Sequence, residues 1–216
     1  MFATISNAVV FILVIIILLL AIFFLFYQFW FLRKPKRRIP KGNCIVSPAN
    51  GRIARILDIS NVKKANISKG LLGKVNILTK DTVKKGYLIV IVMTPFNVHY
   101  QRSPVDGTVL KTRYRKGSFI NVVKDASSLQ SLQNEKNEII IKNRKLGKIK
   151  VVQVAGFLAR RISCFVKKNQ KIHKGEELGL ISLGSQVLLV LPKLKLQVKE
   201  GQKVIDGETI IARFRQ

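Results

Sequence analysis

The sequence predicts a mainly β domain behind a single N-terminal transmembrane helix. Three observations carry that prediction. Short β-branched and aliphatic runs recur between glycine-containing turns, one ten-residue pattern occurs twice, and every charged side chain lies beyond residue 32. Alternation of short strands with turns, and few helical runs, is the mark of an antiparallel β domain.

The helix comes first in the chain. Ala8 to Leu32 is almost wholly apolar, with Gln28 as its one strongly polar residue. About 20 such residues suffice to cross a bilayer core. Tyr27 and Trp30 stand near its end, where amphipathic aromatics favour the membrane interface. Arg33, Lys34, Lys36, Arg37, Arg38 and Lys41 follow, with no basic residues before the helix to balance them. The positive-inside rule then places the C-terminal part in the cytoplasm. The features of a cleaved signal peptide are lacking, namely a basic start, a short apolar stretch and a small-residue cleavage site. The expectation is an uncleaved single-pass anchor in the cell (inner) membrane over residues 1–32, a basic linker over 33–43, and a folded domain over 44–216.

The chain has 216 residues and a net charge of +28, all of it beyond the anchor. A domain so basic calls for an anionic partner or surface. Nucleic acid and anionic lipid share that chemistry, and the anchor favours lipid. Cys44 and Cys164 are the only cysteines. A reducing cytoplasm and the lack of ligand-like spacing make both structural, with no metal site expected.

Strands are expected at Arg52–Leu57, Tyr87–Met93, Gly107–Leu110, Glu138–Ile141, Ile149–Val154, Leu178–Leu183, Val187–Leu191 and Thr209–Phe214. The stretch Lys124–Asn137, rich in Ser, Gln and Asn, reads as a loop or short helix. Val166–Gly175 and Val198–Gly207 share the spacing V-K-x-x-Q-K-[IV]-x-x-G, with Lys80–Val90 a looser third copy. Glycine closes each unit because the turn needs positive φ. The unit resembles the hairpin of biotinyl/lipoyl-like barrel-sandwich folds, without the hairpin-tip context of a carrier lysine.

Five further motifs stand in order along the chain: Ser47-Pro48-Ala49-Asn50-Gly51-Arg52; Met93-Thr94-Pro95-Phe96-Asn97-Val98-His99 running on to Asp106-Gly107; Asn134-Glu135-Lys136-Asn137; Gln153 to Ile162; and Leu183-Gly184-Ser185. Together they resemble the phosphatidylserine decarboxylase family, in particular its short prokaryotic form and the archaetidylserine decarboxylases, over almost all of 44–192. A Gly-Ser bond held in strain can rearrange. The Ser hydroxyl attacks the preceding carbonyl to give an ester, loss of the Ser α-proton expels the Gly carboxylate, and the resulting dehydroalanine hydrolyses to a pyruvoyl group. Its ketone forms a Schiff base with a substrate amine and draws electrons from a breaking C–CO2 bond.

The resemblance implies cleavage between Gly184 and Ser185, a β chain of 1–184, an α chain of 185–216, and Ser185 as the source of the pyruvoyl cofactor. It matches His99 to the family's proton-carrying histidine, a role suited to an imidazole. Where the family has Ser-Pro-Ala-Asp-Gly, this chain has Asn50, which can hold a hydrogen bond but cannot take up a proton. Asp106 is a candidate substitute, with an ordinary Asp-Gly turn as the other reading. Arg160 and Arg161 are candidates for a lipid phosphate or carboxylate. His173 is expected to be solvated.

The implied reaction converts phosphatidylserine, or its ether-linked archaeal counterpart, to the ethanolamine lipid. The expected partners are that lipid and the membrane, the self-derived chains and a second copy of the protein. Two other readings remain: a decarboxylase-like protein in which Asn50 has ended processing, and a membrane adaptor built on lipoyl-like hairpins. No heptad segment of the kind adaptors carry is present.

Overall fold

The computed structural model describes residues 2–61, 75, 78–79, 81–117, 134–156, 161–182 and 185–215. The chain forms two compact units, Met1–Pro35 and Lys36–Gln216. In the first, α1 (Phe2–Leu25) continues into a wider π-helical turn, Phe26–Phe31, closed by the Leu32 amide on the Tyr27 carbonyl at 3.1 Å. Val9–Phe31 is long and apolar enough to cross a membrane; at 1.5 Å per residue it measures about 35 Å. Tyr27 stacks on Phe31 at 5.3 Å, and the Arg33 guanidinium lies 4.5 Å over the Trp30 ring, so the helix ends on aromatic and cationic groups suited to an interface.

The second unit is mainly β. Its strands are β1 (Cys44–Val46), β2 (Gly51–Asp58), β3 (Gly86–Met93), β4 (Tyr100–Arg102), β5 (Gly107–Arg115), β6 (Lys136–Asn143), β7 (Gly147–Ala155), β8 (Ile162–Cys164), β9 (Lys171–Ile172), β10 (Glu177–Ile181), β11 (Ser185–Pro192), β12 (Lys203–Val204) and β13 (Ile210–Arg213). An antiparallel eight-stranded sheet runs β12–β2–β3–β11–β7–β6–β5–β9, beside a three-stranded sheet β4–β10–β8 and the pair β1–β13. None of these sheets closes on itself. Lys136 and Asn137, expected in a loop or short helix, instead open β6 because their edges are bonded to β7; 118–133 lie outside the described residues.

The large sheet is apolar on both faces. One buries Ile89, Ile91, Val151, Val187 and Leu189; the other buries Leu88, Val90, Val152, Leu188 and Val190. Two-sided burial explains why β3, β7 and β11 read as continuous aliphatic runs rather than alternating ones. Each such side chain contributes roughly 1.5–3 kcal/mol of transfer free energy.

The strand order is also a palindrome, and the register bears it out. Ser47-Pro48-Ala49-Asn50-Gly51 and Ser103-Pro104-Val105-Asp106-Gly107 occupy equivalent places. The Val46 amide bonds the Pro104 carbonyl at 3.0 Å and the Arg102 amide bonds the Pro48 carbonyl at 2.9 Å. Ser47 Oγ donates to the Ala49 carbonyl and Ser103 Oγ to the Val105 carbonyl, both at 2.7 Å. The bulge between Ile53 and Arg55 in β2 recurs between Val109 and Lys111 in β5. β12 and β9, at the two outer edges, come from the repeated ten-residue pattern, and its closing glycines, Gly207 and Gly175, have φ of 73° and 85°. Each donates its amide at 2.8 Å to the equivalent serine carbonyl, Ser47 or Ser103. The domain is thus two similar halves about a pseudo-twofold axis between β11 and β7.

Residues after the helix are fastened into this domain. Arg37 and Arg102 both bind the buried Asp206 carboxylate, and Glu208 accepts the Arg38 amide at 3.0 Å.

Candidate functional site

Ser185 is the first residue of β11, at the centre of the sheet, and is fully buried. Its neighbours in register are Met93 on β3 and Ala155 on β7. Its hydroxyl lies 3.5 Å from Met93 Sδ. Gly184 lies outside the described residues, as does Arg160. The backbone of Arg161 meets this turn, its carbonyl accepting the Ser182 amide at 3.1 Å, while its side chain is exposed.

His99 precedes β4 and is also fully buried. Its Nδ1 lies 2.9 Å from the Asn97 carbonyl, and its own carbonyl accepts Gln101 Nε2 at 2.6 Å. A relay of amides stands behind this contact. Gln153 Nε2 donates to Gln101 Oε1 at 2.7 Å, and Asn137 Nδ2 donates to Gln153 Oε1 at 2.8 Å. Gln101 Nε2 is also 4.0 Å from Met93 Sδ, so the relay ends at the sulfur that touches Ser185. Asn134 Nδ2 holds the Ala155 carbonyl at 2.8 Å, next to Ser185 in the ladder. Glu135, whose carbonyl takes the Ala155 amide at 2.9 Å, raises the Tyr114 phenol above its ordinary pKa, through their hydrogen bond first and its charge after that. Buried polar groups cost free energy unless paired, and here the amides pair with one another.

Asn50 joins the same constellation through Asn97, whose Nδ2 donates to Asn50 Oδ1 at 2.8 Å. Asn97 Oδ1 in turn caps Thr94, accepting its amide at 2.8 Å and its hydroxyl at 2.9 Å. Ser185, His99 and Asn50 are therefore linked by Met93, Gln101 and Asn97. Asp106 is not brought there. It is exposed in the other half of the domain, where Oδ1 accepts the Lys174 amide at 3.0 Å and lies 3.6 Å from His173 Nδ1. His173 is 87% exposed, as its lysine-rich turn suggests.

Gln101, Gln153 and Asn137 have roles the sequence reading did not assign. The available signal was Gln153 itself, an uncharged polar residue inside the largely aliphatic run Ile149–Val154. A buried glutamine in an aliphatic strand needs a polar partner.

Asn50, Asn97, Arg52, Lys203, Val204 and Ile205 line a cleft of about 580 Å3. Arg52 and Lys203 are direct cross-strand partners, and both are exposed. Like charges directly opposed on a sheet repel. Among the described residues neither has a carboxylate within ion-pair distance. Two unneutralised cations beside an apolar wall suit an anionic amphiphile. Among the described residues, no group of three His, Cys, Asp or Glu could hold a metal ion. Cys44 is buried and Cys164 exposed, both as free thiols.

A mainly β domain with a serine at the head of its central strand, behind an apolar helix, defines a class of helix-tethered β proteins with a buried serine–histidine site. Residues 23–212 match the family model described as phosphatidylserine decarboxylase, so the chain belongs to that family. Among similar proteins are three phosphatidylserine decarboxylase proenzymes. That of Burkholderia vietnamiensis is 35% identical over 144 residues, 66% of this chain and 58% of the relative. That of Chlorobium phaeobacteroides is 39% identical over 141 residues, 65% of this chain and 56% of the relative. That of Aromatoleum aromaticum is 38% identical over 138 residues, 63% and 54%. The chain thus spans between 54 and 58% of the length of these relatives.

Proposed function

We propose that this chain is a proenzyme that cleaves itself between Gly184 and Ser185 and then, through a pyruvoyl group derived from Ser185, decarboxylates phosphatidylserine or its ether-linked counterpart. The observation that carries this reading is the placement of Ser185: a fully buried serine at the start of the central strand, linked through Met93 and Gln101 to His99. A dry strand end packed by a thioether and a primary amide fits a small keto group. Such a group supplies a carbonyl that accepts a substrate amine and withdraws electrons from the adjacent carboxylate-bearing carbon.

The other residues then take distinct tasks. With Nδ1–H donated to the Asn97 carbonyl, His99 carries its exchangeable basic nitrogen at Nε2, where it serves to move protons. The amide relay fixes the backbone of His99 from behind. Arg52 and Lys203 hold the lipid phosphate. The buried site excludes water, which strengthens each of these electrostatic contacts. The domain faces the cytoplasm from the inner membrane, a reading supported by the basic block after the helix, and pairs with a second copy of itself.

Intact-mass analysis of the purified protein, with and without borohydride, tests the proposal. Two chains split after Gly184, the shorter one blocked by a reducible carbonyl, are expected, together with release of CO2 from phosphatidylserine. Ser185→Ala should give one chain and no activity. Active protein consisting of a single unbroken chain would overturn the pyruvoyl mechanism. An unbroken, inactive wild-type chain would favour the second reading, motivated by the neutral Asn50, of a lipid-binding relative that no longer processes.

A further inference from the structure

The pseudo-twofold gives the cleft beside Asn50 a counterpart. Asp106 replaces Asn50, Thr108 replaces Arg52, and Lys171 and Ile172 replace Lys203 and Val204. The second cleft encloses about 410 Å3. The same approach of strands forms both. A Cβ on Gly51 would lie 2.2 Å from the Val92 carbonyl oxygen, and one on Gly107 would lie 2.5 Å from that of Lys142.

The second cleft carries more cations than the first. Lys171, Thr108 and Lys142 line it and share one rung across β9, β5 and β6, so their side chains leave the same face of the sheet; Lys148 of β7, next on that rung, is outside the lining. Lys142 and Lys148 are direct cross-strand partners, a like-charge pairing that costs stability. Arg144 and Lys145, from the β6–β7 turn, add to the same cleft. Among the described residues none of these cations has a carboxylate within ion-pair distance. The lining acid is Asp106, whose Oδ1 already accepts the Lys174 amide. Val105, Ile172 and Phe214 supply apolar wall.

We infer that this second cleft binds the head group of an anionic phospholipid without acting on it. The cations match a phosphate, Thr108 offers a hydroxyl between two lysines, and the apolar residues suit the glycerol and first acyl carbons. A lipid is the occupant because the same chain carries a helix long and apolar enough to cross a bilayer. No chemistry follows binding. Where the first half has Ser185 facing Met93, the second has Gly147 facing Asn143 in a tight hairpin. The inference does not depend on self-cleavage or decarboxylation.

The test uses the full chain in neutral detergent and follows the amide resonances of Thr108 and Ile172 while dihexanoyl-phosphatidylglycerol is added below its micellar concentration. Saturable shifts are expected, weakened roughly tenfold or more in K142Q/R144Q/K171Q by loss of charge-assisted hydrogen bonds. The first cleft and the self-cleavage pattern should be unaffected. Removing the Lys142–Lys148 repulsion should leave the thermal midpoint no lower, separating lost affinity from lost fold. Equal affinity for inorganic phosphate would make this a free-phosphate site and sink the lipid assignment. Equal affinity for dihexanoyl-phosphatidylcholine, or no saturable shift, would sink it as well. So would an equal loss in K167Q/K168Q/K195Q, exposed lysines outside the cleft, because net charge alone would then explain the effect.

Discussion

The two halves of the β domain share a backbone plan and differ in what the chain does at one point. In the second half, β6 turns directly into β7 through Asn143–Gly147. In the first, the equivalent strands β3 and β11 are separated by residues 94–184, so Met93 and Ser185 meet as two distant points of the sequence. The scaffold makes two cation-lined clefts. The open connection sets the halves apart, because in the first it brings a serine, a histidine motif and an amide relay to a strand end where the second has a turn.

Equivalence of the halves is most sharply tested at their glycines. Gly51→Ala and Gly107→Ala each drive a methyl into the carbonyl of the neighbouring strand, at 2.2 and 2.5 Å. Each should cost about 2–3 kcal/mol in urea unfolding, since the obstacle is backbone and not a movable side chain. A half that tolerated its alanine within about 0.5 kcal/mol would break the comparison.

Gln153→Leu tests the asymmetry. It removes the acceptor of Asn137 and the donor to Gln101. Leaving those buried amides unpaired should cost roughly 1–3 kcal/mol. Conversion from one chain to two should also slow by about tenfold, as Gln101 loses the contact that aims it at His99. Slower conversion at unchanged stability would show that the relay acts in the chemistry alone; lost stability at unchanged conversion would make it structural only.

The sequence made much of this legible where packing is two-sided. Expected strands at Arg52–Leu57, Tyr87–Met93, Ile149–Val154 and Val187–Leu191 lie within β2, β3, β7 and β11, because buried aliphatic runs have few alternatives to a strand. β5 runs five residues beyond the expected Leu110, to Arg115. Its later residues are polar, and pairing with β6 rather than hydrophobicity keeps them extended. β1, β4 and β8, of three residues each, have no pattern of their own and exist through distant partners. The repeated glycine-closed units were visible, but not that they edge opposite sides of one sheet, since spacing cannot reveal a twofold axis. Ser185, His99 and Asn50 stood out by motif. That Asp106 belongs to the other cleft required the fold.

Exchanging the paired residues Asn50 and Asp106 has a smaller expected effect. The Asn97 amide donates to Asn50 Oδ1, and an aspartate there can accept the same bond while adding charge. Asn50→Asp should speed self-cleavage by up to about tenfold, read from the half-time of two-chain formation. Asp106→Asn should leave that half-time unchanged. Sensitivity at position 106 instead would place the compensating carboxylate across the axis.

The smallest effect tests a contact that joins the halves. Lys150 of β7 is fully buried and reaches the Leu78 carbonyl at 2.6 Å, the Asp81 carboxylate, and Glu138 Oε2 at 3.4 Å. The segment containing Asp81 precedes β3, so a loop of the first half is tied to a strand of the second. Burial pushes the Asp81 carboxyl up, but the hydrogen bond and charge of Lys150 outweigh it and hold it below its ordinary pKa. A carboxyl lowered in the folded state contributes stability that is present above its unfolded pKa, near 4, and is lost as pH falls through the folded value. Asp81→Asn should therefore be less stable than wild type at pH 7, with the gap closing as pH is lowered past about 4. The side chain is 37% exposed, so solvent screening keeps the gap small. A gap that stayed constant from neutral to acid pH would mean that packing, and not the ion pair, ties the loop across the axis.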